Sequence, residues 1–276
     1  MELLQFYGAS EGFLRGVIRD TFLDHVWVNA YLEEKTHGFL HGDRVRKGSK
    51  KLLGKLTDDE RQKLTLEGEE FDGASPFTSA CAVVEICSLL HDGGRFDERG
   101  EQTEESNKMH HIIGADRAVE FCKSLGLDAI IPYVDNTILC HDFQSPTDTP
   151  SLDSPSYMIG SVVQSSDQMG WMHPGSVERT VQYSLVVNRP IFDPTVLIED
   201  RIGWQPFVGD ALDALTVLLK QLYGNTGPDR FGVEAARTKV ERYKPQIRAG
   251  IVALSDREGF RQELDEIMQV YDNLSV

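Results

Sequence analysis

The sequence predicts an all-α protein, because apolar residues recur at helical spacing along most of its 276 residues. The segment 12–34 is one example, with Phe13, Val17, Ile18 and Phe22 on one face of an amphipathic helix. The pattern lacks the alternation of strands and helices that builds a parallel sheet, which argues against an α/β fold. A hydrophobic content of 40% is sufficient for a buried core.

The remaining helices are predicted from local start and stop signals. They are expected at 41–53, after a capping box at 57–60, at 77–90 with Ser75-Pro76 as its start, and at 108–125, 129–140, 157–169, 211–223, 233–243 and 258–271. The polar, glycine-containing segment 93–107 is predicted to be a loop, and the segment 145–155, rich in Pro, Ser and Asp, a linker. For 181–187 the pattern allows either a short strand or a helix.

The charge of the chain limits its partners. Lys and Arg number 28 against 44 Asp and Glu, which gives a formal net charge of −16. Such a charge repels nucleic-acid phosphates and anionic lipids, so we expect neither a nucleic-acid nor a membrane partner. No run reaches the roughly 18 apolar residues that cross a bilayer. A small anionic substrate remains compatible with the charge, because a bound divalent ion reverses the local field.

The cysteines indicate a reducing compartment. The four of them, Cys81, Cys87, Cys122 and Cys140, lie in apolar helix-like segments without CxxC spacing. This pattern predicts buried reduced thiols rather than a zinc–thiolate site. The first residues lack the basic and apolar regions of a signal peptide, so we expect a cytoplasmic protein.

The strongest functional signal is the pair His91-Asp92, which closes the apolar run 80–90. A histidine and a carboxylate at the end of a stiff buried helix are metal ligands with little conformational freedom left to lose. Further candidate ligands lie at helix ends or beside small residues, namely His41, His110, His141 and Asp167. Together these residues predict a metal site.

Glu85 is an acid inside the apolar helix 77–90, seven residues before Asp92 and on nearly the same face. Such a carboxylate supports a metal-bound histidine, fills a solvated gap or pairs with an arginine of another helix. The sequence leaves these three roles open.

The order H…HD…H…H…D resembles that of the HD-domain superfamily of metal-dependent phosphohydrolases over residues 20–175. The resemblance is carried by Leu-Leu-His91-Asp92-Gly-Gly-Arg95 and by His110-x-x-x-Gly-Ala. We therefore expect an HD-domain-like helical bundle as the metal-binding core over residues 1–180. Residues 181–276 are expected to form a C-terminal helical extension that packs on this core.

The resemblance also implies a ligand set. One ion would be held by His41, His91, Asp92 and Asp167. Asp92 would bridge to a second ion, for which binuclear members of the superfamily add two histidines, here His110 and His141. Imidazole and carboxylate ligands suit Fe, Mn, Zn or Ni, so we expect a divalent transition metal, with two ions favoured over one.

Two ligand positions have alternatives. The gap after His41 is longer than in the compact pattern of the superfamily, which leaves His37 or His25 as candidates for the first ligand. Asp200 resembles the final motif as well, but Asp167 follows the preceding histidine at a more familiar distance and is preferred.

The resemblance places substrate contacts near the same pair. Arg95 stands where many of the phosphohydrolases have a lysine, and it keeps the positive charge while offering bidentate contacts to phosphate. Asp92 and Arg95 are therefore expected to be catalytic, Asp92 as ligand and proton acceptor and Arg95 as the group that neutralises phosphoryl charge. Arg44 and His111 are expected to contact the substrate.

Three functions are consistent with these residues. The first is hydrolysis of a small phosphorylated metabolite or nucleotide, with two ions activating water and clamping the phosphoryl oxygens. The second is an inositol-oxygenase-like di-iron oxygenase that cleaves a C–C or C–P bond with O₂. The third is a non-catalytic HD domain that binds a regulatory ligand. Full retention of the ligand pattern favours the two enzymes.

Overall fold

Helices are the only regular secondary structure in the described part of the chain. The computed structural model describes residues 2–34, 37–66, 73–140, 154–186, 188–202, 209–223 and 232–274, and it confirms the predicted all-α class. The α-helices are α1 (Glu11–Thr21), α2 (Val26–Glu33), α3 (Phe39–Leu53), α4 (Asp58–Leu64), α5 (Pro76–Leu90), α6 (Glu104–Lys108), α7 (His110–Ser124), α8 (Ile131–Cys140), α9 (Pro155–Trp171), α10 (Ser176–Val186), α11 (Ile198–Ile202), α12 (Ala211–Tyr223), α13 (Glu234–Glu258) and α14 (Arg261–Leu274). Short 3-10 helices lie at Leu3–Gln5, Gly93–Arg95 and Asp128–Ile130.

Two helices begin at the capping residues that the sequence indicated. The Ser75 side chain accepts a hydrogen bond from the backbone N–H of Thr78, and Pro76 is the first residue of α5. Thr57 and Glu60 form the predicted capping box of α4. Because the N–H groups of a first helical turn have no partner inside the helix, these side chains fix where each helix begins.

The prediction of one continuous helix over 12–34 is wrong. The chain forms α1 and α2, which are separated by residues 22–25. Phe22 and Trp27 are both buried, and their ring centroids lie 4.8 Å apart. In one straight helix these positions would be about 140° apart around the axis, so a common cluster of the two rings requires the break.

The segment 93–107 contains more structure than the loop that was predicted. Gly93–Arg95 is a 3-10 helix, and α6 begins after Thr103, whose side chain accepts from the backbone N–H of Ser106. The Ser106 hydroxyl also donates to the backbone carbonyl of Arg95 at 2.7 Å. The loop prediction is wrong for these residues, because Thr103 and Ser106 supply a local capping pair that starts a helix in spite of the polar composition.

The chain divides into two compact units. The first comprises Met1–Asp167 with Gly232–Ala235, and the second comprises Gln168–Phe231 with Ala236–Val276. The first division therefore falls inside α9, whereas the sequence suggested a boundary after residue 180. Among the described residues, no helix combines the length and the apolar character needed to traverse a membrane.

The contact between α3 and α5 is the centre of the first unit, and α5 is almost entirely buried. Gly42 permits the close approach, since a Cβ atom there would lie 2.6 Å from the Leu89 carbonyl oxygen. The Ser49 and Ser88 hydroxyls share a hydrogen bond of 3.0 Å across the same contact. This packing brings His41, near the start of α3, beside the end of α5.

A buried ion pair crosses the same helix contact. Arg46 Nη1 donates to Glu85 Oε2 at 2.7 Å, and the backbone N–H of Gly8 donates to Glu85 Oε1 at 2.9 Å. Arg46 also donates to Asp43 Oδ1 at 2.9 Å. Of the three roles open to Glu85, pairing with an arginine of another helix is the one that the structure shows.

Three of the four cysteines are buried free thiols, as predicted, namely Cys81, Cys87 and Cys122. Burial raises the pKa of the Cys81 and Cys122 thiols to about 12. Both groups are therefore neutral and unreactive at physiological pH. The side chain of Cys140 lies outside the described residues.

In the second unit, α12 contacts α10 and α14. The segment 181–187, for which the pattern allowed a strand or a helix, is helical as far as Val186. Arg201 on α11 is fully buried and forms ion pairs of 2.7 Å with Asp210 and 2.6 Å with Asp213. These contacts join α11 to the start of α12.

Candidate metal centre

Four helices of the first unit carry the predicted ligands that the structure describes. His41 lies in the first turn of α3, His91 is the C-cap of α5, and Asp92 follows it directly. His110 is the first residue of α7, and Asp167 lies near the end of α9. Each side chain is thus attached to a stiff element, which limits the entropy lost when the ligands converge.

Three of these residues could hold a metal ion. One donor atom each from His41, His91 and Asp167 lies within 4.8 Å of the others. His41 Nε2 and Asp167 Oδ1 lie 3.0 Å apart. Asp92 borders this group, since its Oδ2 atom is 3.5 Å from His41 Nε2 and 3.6 Å from His91 Nε2.

The separations around Asp92 Oδ2 are closer to those of ligands around a shared ion than to those of hydrogen bonds. A backbone-type N–H···O hydrogen bond spans about 2.7–3.2 Å. Donor atoms that each lie ~2.1 Å from one ion are instead about 3.0–3.4 Å apart. The contacts of 3.5 and 3.6 Å are too long for good hydrogen bonds and close to this second range.

The pair His41 and Asp167 supports the same conclusion. His41 Nε2 and Asp167 Oδ1 are both buried, and neither makes a hydrogen bond of acceptable geometry with the described residues, although they are only 3.0 Å apart. Buried polar atoms are rarely left in this state. A set of imidazole and carboxylate donors with such atoms fits a divalent transition metal.

His91 is oriented by the backbone of its own helix. Its Nδ1 atom lies 2.9 Å from the carbonyl oxygen of Ser88, which can only accept, so the ring proton is on Nδ1. Nε2 then carries the lone pair that faces His41 and Asp92. Burial lowers the pKa of His91 below its usual value despite the nearby carboxylates, which keeps the ring in the neutral form that a metal binds.

Asp92 is the central carboxylate of the group. Its Oδ2 atom faces His41 and His91, and its Oδ1 atom accepts a hydrogen bond of 2.6 Å from Arg95 Nε. His110 Nε2 lies 4.0 Å from Oδ1. Imidazole nitrogens therefore flank both carboxylate oxygens, which is the arrangement of a carboxylate able to bridge two ions.

Both acids of the group are ionised at neutral pH. Burial opposes ionisation of Asp92, but at the acid pH where this carboxyl titrates the surrounding imidazoles are protonated, and together with Arg95 they hold its pKa well below its usual range. Burial likewise opposes ionisation of Asp167, and the rings of His41 and His91 nevertheless lower its pKa. Ionised carboxylates next to neutral imidazoles are the protonation states that metal binding requires.

The group has a buried floor and a partly exposed rim. The side chains of His91 and Asp92 are 1% and 4% exposed. Those of His37, Arg95 and Asp167 are 29%, 23% and 28% exposed. A ligand from solvent therefore meets the rim residues first.

The other predicted site residues lie in different places. His141 is outside the described residues, and its role as a ligand stays a prediction. His111 is half-buried, with its ring centroid 5.7 Å from that of His110. Arg44 is exposed one turn after His41 on α3. The substrate contacts expected of Arg44 and His111 also stay predictions.

Of the three alternative ligands, only His37 lies beside the donor group. His25 Nε2 lies 3.6 Å from Glu120 Oε1, and its ring packs on Phe22, so it is not part of the group. Asp200 is an exposed residue of α11 in the second unit. His37, in contrast, lies beside the group, with its Nδ1 atom 3.3 Å from Asp92 Oδ2.

Two supporting residues were missed by the sequence reasoning. A Cβ atom on Gly94 would overlap the His110 carbonyl oxygen and lie 2.5 Å from the Gly114 nitrogen, so glycine lets the 3-10 helix rest on α7. Arg117 Nη1 donates to the carbonyl oxygens of Gly93 and Phe96, each at 2.7 Å. The only signal in the sequence was the Gly-Gly pair after Asp92.

Comparisons with protein-family models, with curated proteins and with solved structures found no match for this chain. The HD-domain resemblance therefore rests on the motif residues and stays a prediction.

Proposed function

We propose that this protein is an HD-type metal-dependent phosphohydrolase that acts on a small phosphorylated metabolite or nucleotide. The observation that supports this proposal best is the donor group of His41, His91, Asp92 and Asp167, with its ligand-like separations. Two neutral imidazoles and two ionised carboxylates would give one divalent ion no net excess charge. The positive charge that attracts an anionic substrate would then come from Arg95, which is partly exposed beside the group.

The role proposed for the metal is the one that divalent ions have in metal-dependent phosphohydrolases in general. His41, His91, Asp92 and Asp167 would hold a divalent ion, which would polarise a phosphoryl oxygen and lower the pKa of a bound water. The chain contributes the rest: His91 presents its lone pair because Ser88 holds the Nδ1 proton, and Arg95 holds Asp92 in place.

Arg95 also provides positive charge at the rim. Its Nε atom is engaged with Asp92 Oδ1, and its side chain is 23% exposed. A guanidinium is a planar fork with five N–H donors, a geometry that can contact a carboxylate and a phosphate at the same time. We therefore propose a double role for Arg95, in orienting the carboxylate and in binding the anion.

A di-iron oxygenase is the second candidate. It requires two ions, and His110 Nε2 at 4.0 Å from Asp92 Oδ1 gives the second carboxylate oxygen an imidazole neighbour that could hold the second one. A second ion bridged by Asp92 would serve a phosphohydrolase or an oxygenase equally well.

One assay separates these functions. The purified chain is loaded anaerobically with Fe²⁺, Mn²⁺, Zn²⁺ or Ni²⁺, and phosphate release from nucleoside monophosphates and sugar phosphates is measured beside O₂ consumption with phosphonates and polyols. We expect phosphate release with at least one metal, its loss in His91→Ala and its retention in His25→Ala, which changes a histidine outside the group. O₂ consumption by the iron form without phosphate release would overturn the hydrolase in favour of the oxygenase. Metal binding without either reaction would overturn both enzymes and leave the regulatory domain.

A further inference from the structure

His37 occupies a position that the HD-type ligand pattern does not explain. It lies in the turn before α3, four residues ahead of His41, and the two ring centroids are 5.9 Å apart. The sequence presented these histidines as alternatives for one ligand. The structure places both of them beside the same carboxylate.

The turn that carries His37 has a defined geometry. The backbone N–H groups of His37 and Gly38 both donate to Glu34 Oε2, at 2.5 and 2.9 Å. A Cβ atom on Gly38 would overlap the carbonyl oxygens of Tyr31 and Glu34, so only glycine permits this close approach. These contacts hold the backbone from which the His37 side chain extends.

The His37 ring approaches the oxygen that the other two imidazoles approach. His37 Nδ1 lies 3.3 Å from Asp92 Oδ2, compared with 3.5 Å for His41 Nε2 and 3.6 Å for His91 Nε2. Ligands of one ion with bonds of ~2.1 Å are about 3.0–3.4 Å apart. The His37 separation lies within that range.

On this basis we propose that His37 is an additional metal ligand, bonded through Nδ1, on the solvent side of the centre. The proposal rests on the proposed metal-dependent function of the same group. His37 is 29% exposed, whereas His91 is 1% exposed, so His37 closes the group from the rim while His91 forms its floor. The chain then supplies three imidazoles around Asp92 Oδ2 within residues that the structure describes.

The alternative role is a hydrogen bond to Asp92 that only positions this carboxylate. The two roles differ in what happens to the electronic environment of a bound metal. Removal of a ligand changes the donor set or the coordination number, and with it the energy and intensity of the d–d absorption of Co²⁺. Removal of a positioning residue weakens binding, but it leaves the donor set unchanged.

The test is titration of the metal-free chain with Co²⁺, followed by visible absorption and by dialysis. The variants are His37→Ala and His37→Gln, with His25→Ala as the matched control. We expect both His37 variants to bind Co²⁺ more weakly, by at least the roughly 10–100-fold that the loss of a group supporting a ligand costs, and to show an altered d–d spectrum at saturation. The control should match the parent chain in both measurements.

Three results would contradict the inference. The first is that the His37 variants match the parent chain in both spectrum and affinity. The second is that they keep the parent spectrum but bind Co²⁺ more weakly, which would assign His37 a positioning role. The third is that His37→Gln has the parent spectrum although His37→Ala does not. The glutamine variant retains a polar side chain in the turn and serves where His37→Ala does not fold. If the parent chain binds no Co²⁺, the proposed function fails. If the parent chain binds Co²⁺, His91→Ala does not bind it, and the His37 variants bind it with the parent affinity and spectrum, only the His37 inference fails.

Discussion

Arg95 Nε donates a hydrogen bond of 2.6 Å to Oδ1 of Asp92, the carboxylate at the centre of the donor group. The two residues are joined by the 3-10 helix that follows α5, and Asp92 is 4% exposed. This hydrogen bond restricts the Asp92 side chain to one rotamer, in which its second oxygen faces His41 and His91. The arginine that sequence reasoning assigned to the substrate therefore also contacts a proposed ligand.

Replacement of Arg95 by glutamine should weaken metal binding as well as catalysis. The expected loss of affinity is about 10–100-fold, because groups that orient a ligand have effects of this size. Calorimetric titration with Mn²⁺ measures the affinity, and Arg99→Gln, which changes a 72% exposed arginine paired with Asp97, is the control. An unchanged affinity combined with a higher KM would show that Arg95 contacts substrate alone.

The metal-free protein should lose stability as the pH falls below about 6.5. The pKa of His91 is lowered by burial, so the unfolded chain binds a proton that the folded chain resists, and stability falls with decreasing pH through this window. The lowered pKa values of Asp92 and Asp167 also make the protein less stable as the pH falls, but their contribution is lost only below the ordinary pKa of an aspartate. Urea unfolding in EDTA between pH 7.5 and 4.5 measures the effect. If the free energy of unfolding falls between pH 6.5 and 5 as steeply in His91→Gln as in the parent chain, His91 does not cause the loss of stability.

Breaking the buried pair of Arg46 and Glu85 should destabilise the first unit strongly. Arg46→Met leaves the Glu85 carboxylate, which is fully buried, without its arginine, at an expected cost of about 3–5 kcal/mol. Glu85→Gln should cost less, because Arg46 retains Asp43. The double variant should be more stable than the sum of the single effects. Urea unfolding monitors all three, and strictly additive losses would indicate that the pair does not interact.

A methyl group on Gly94 should disturb the contact between the 3-10 helix and α7. The added Cβ would overlap the His110 carbonyl oxygen, so Gly94→Ala should cost about 1–3 kcal/mol. Gly93→Ala is a matched control, because a Cβ there meets nothing within 4 Å. The control should change the free energy of unfolding by less than about 1 kcal/mol. Equal losses of stability in the two variants would show that the close approach of Gly94 to His110 is not the cause.

The sequence was informative wherever a feature depends on residues close together along the chain. The caps Ser75 and Thr57 set helix starts, because a capping side chain reaches only the next few backbone groups. The convergence of His41, His91 and Asp167 was predicted from a motif order, and their separations now give that prediction a physical basis. The all-α class followed from periodicity alone.

The features that could not be predicted depend on contacts between distant segments. The break between α1 and α2 serves the packing of Phe22 on Trp27, and no local signal announces it. The anchoring of residues 93–96 by Arg117 joins positions more than 20 residues apart. The presence of both His37 and His41 beside Asp92 required atomic positions, because spacing along the chain allowed either one.

The central claim is that His41, His91, Asp92 and Asp167 hold a divalent metal ion. Its most direct test is equilibrium dialysis of the metal-free chain against Mn²⁺, Zn²⁺ and Fe²⁺, with the bound metal counted by elemental analysis, for the parent chain, His91→Ala, Asp167→Asn and the control His25→Ala. We predict at least one ion per chain in the parent and in the control, and loss of this ion in the other two variants. Absence of bound metal from the parent chain, or its full retention in His91→Ala, would contradict the assignment.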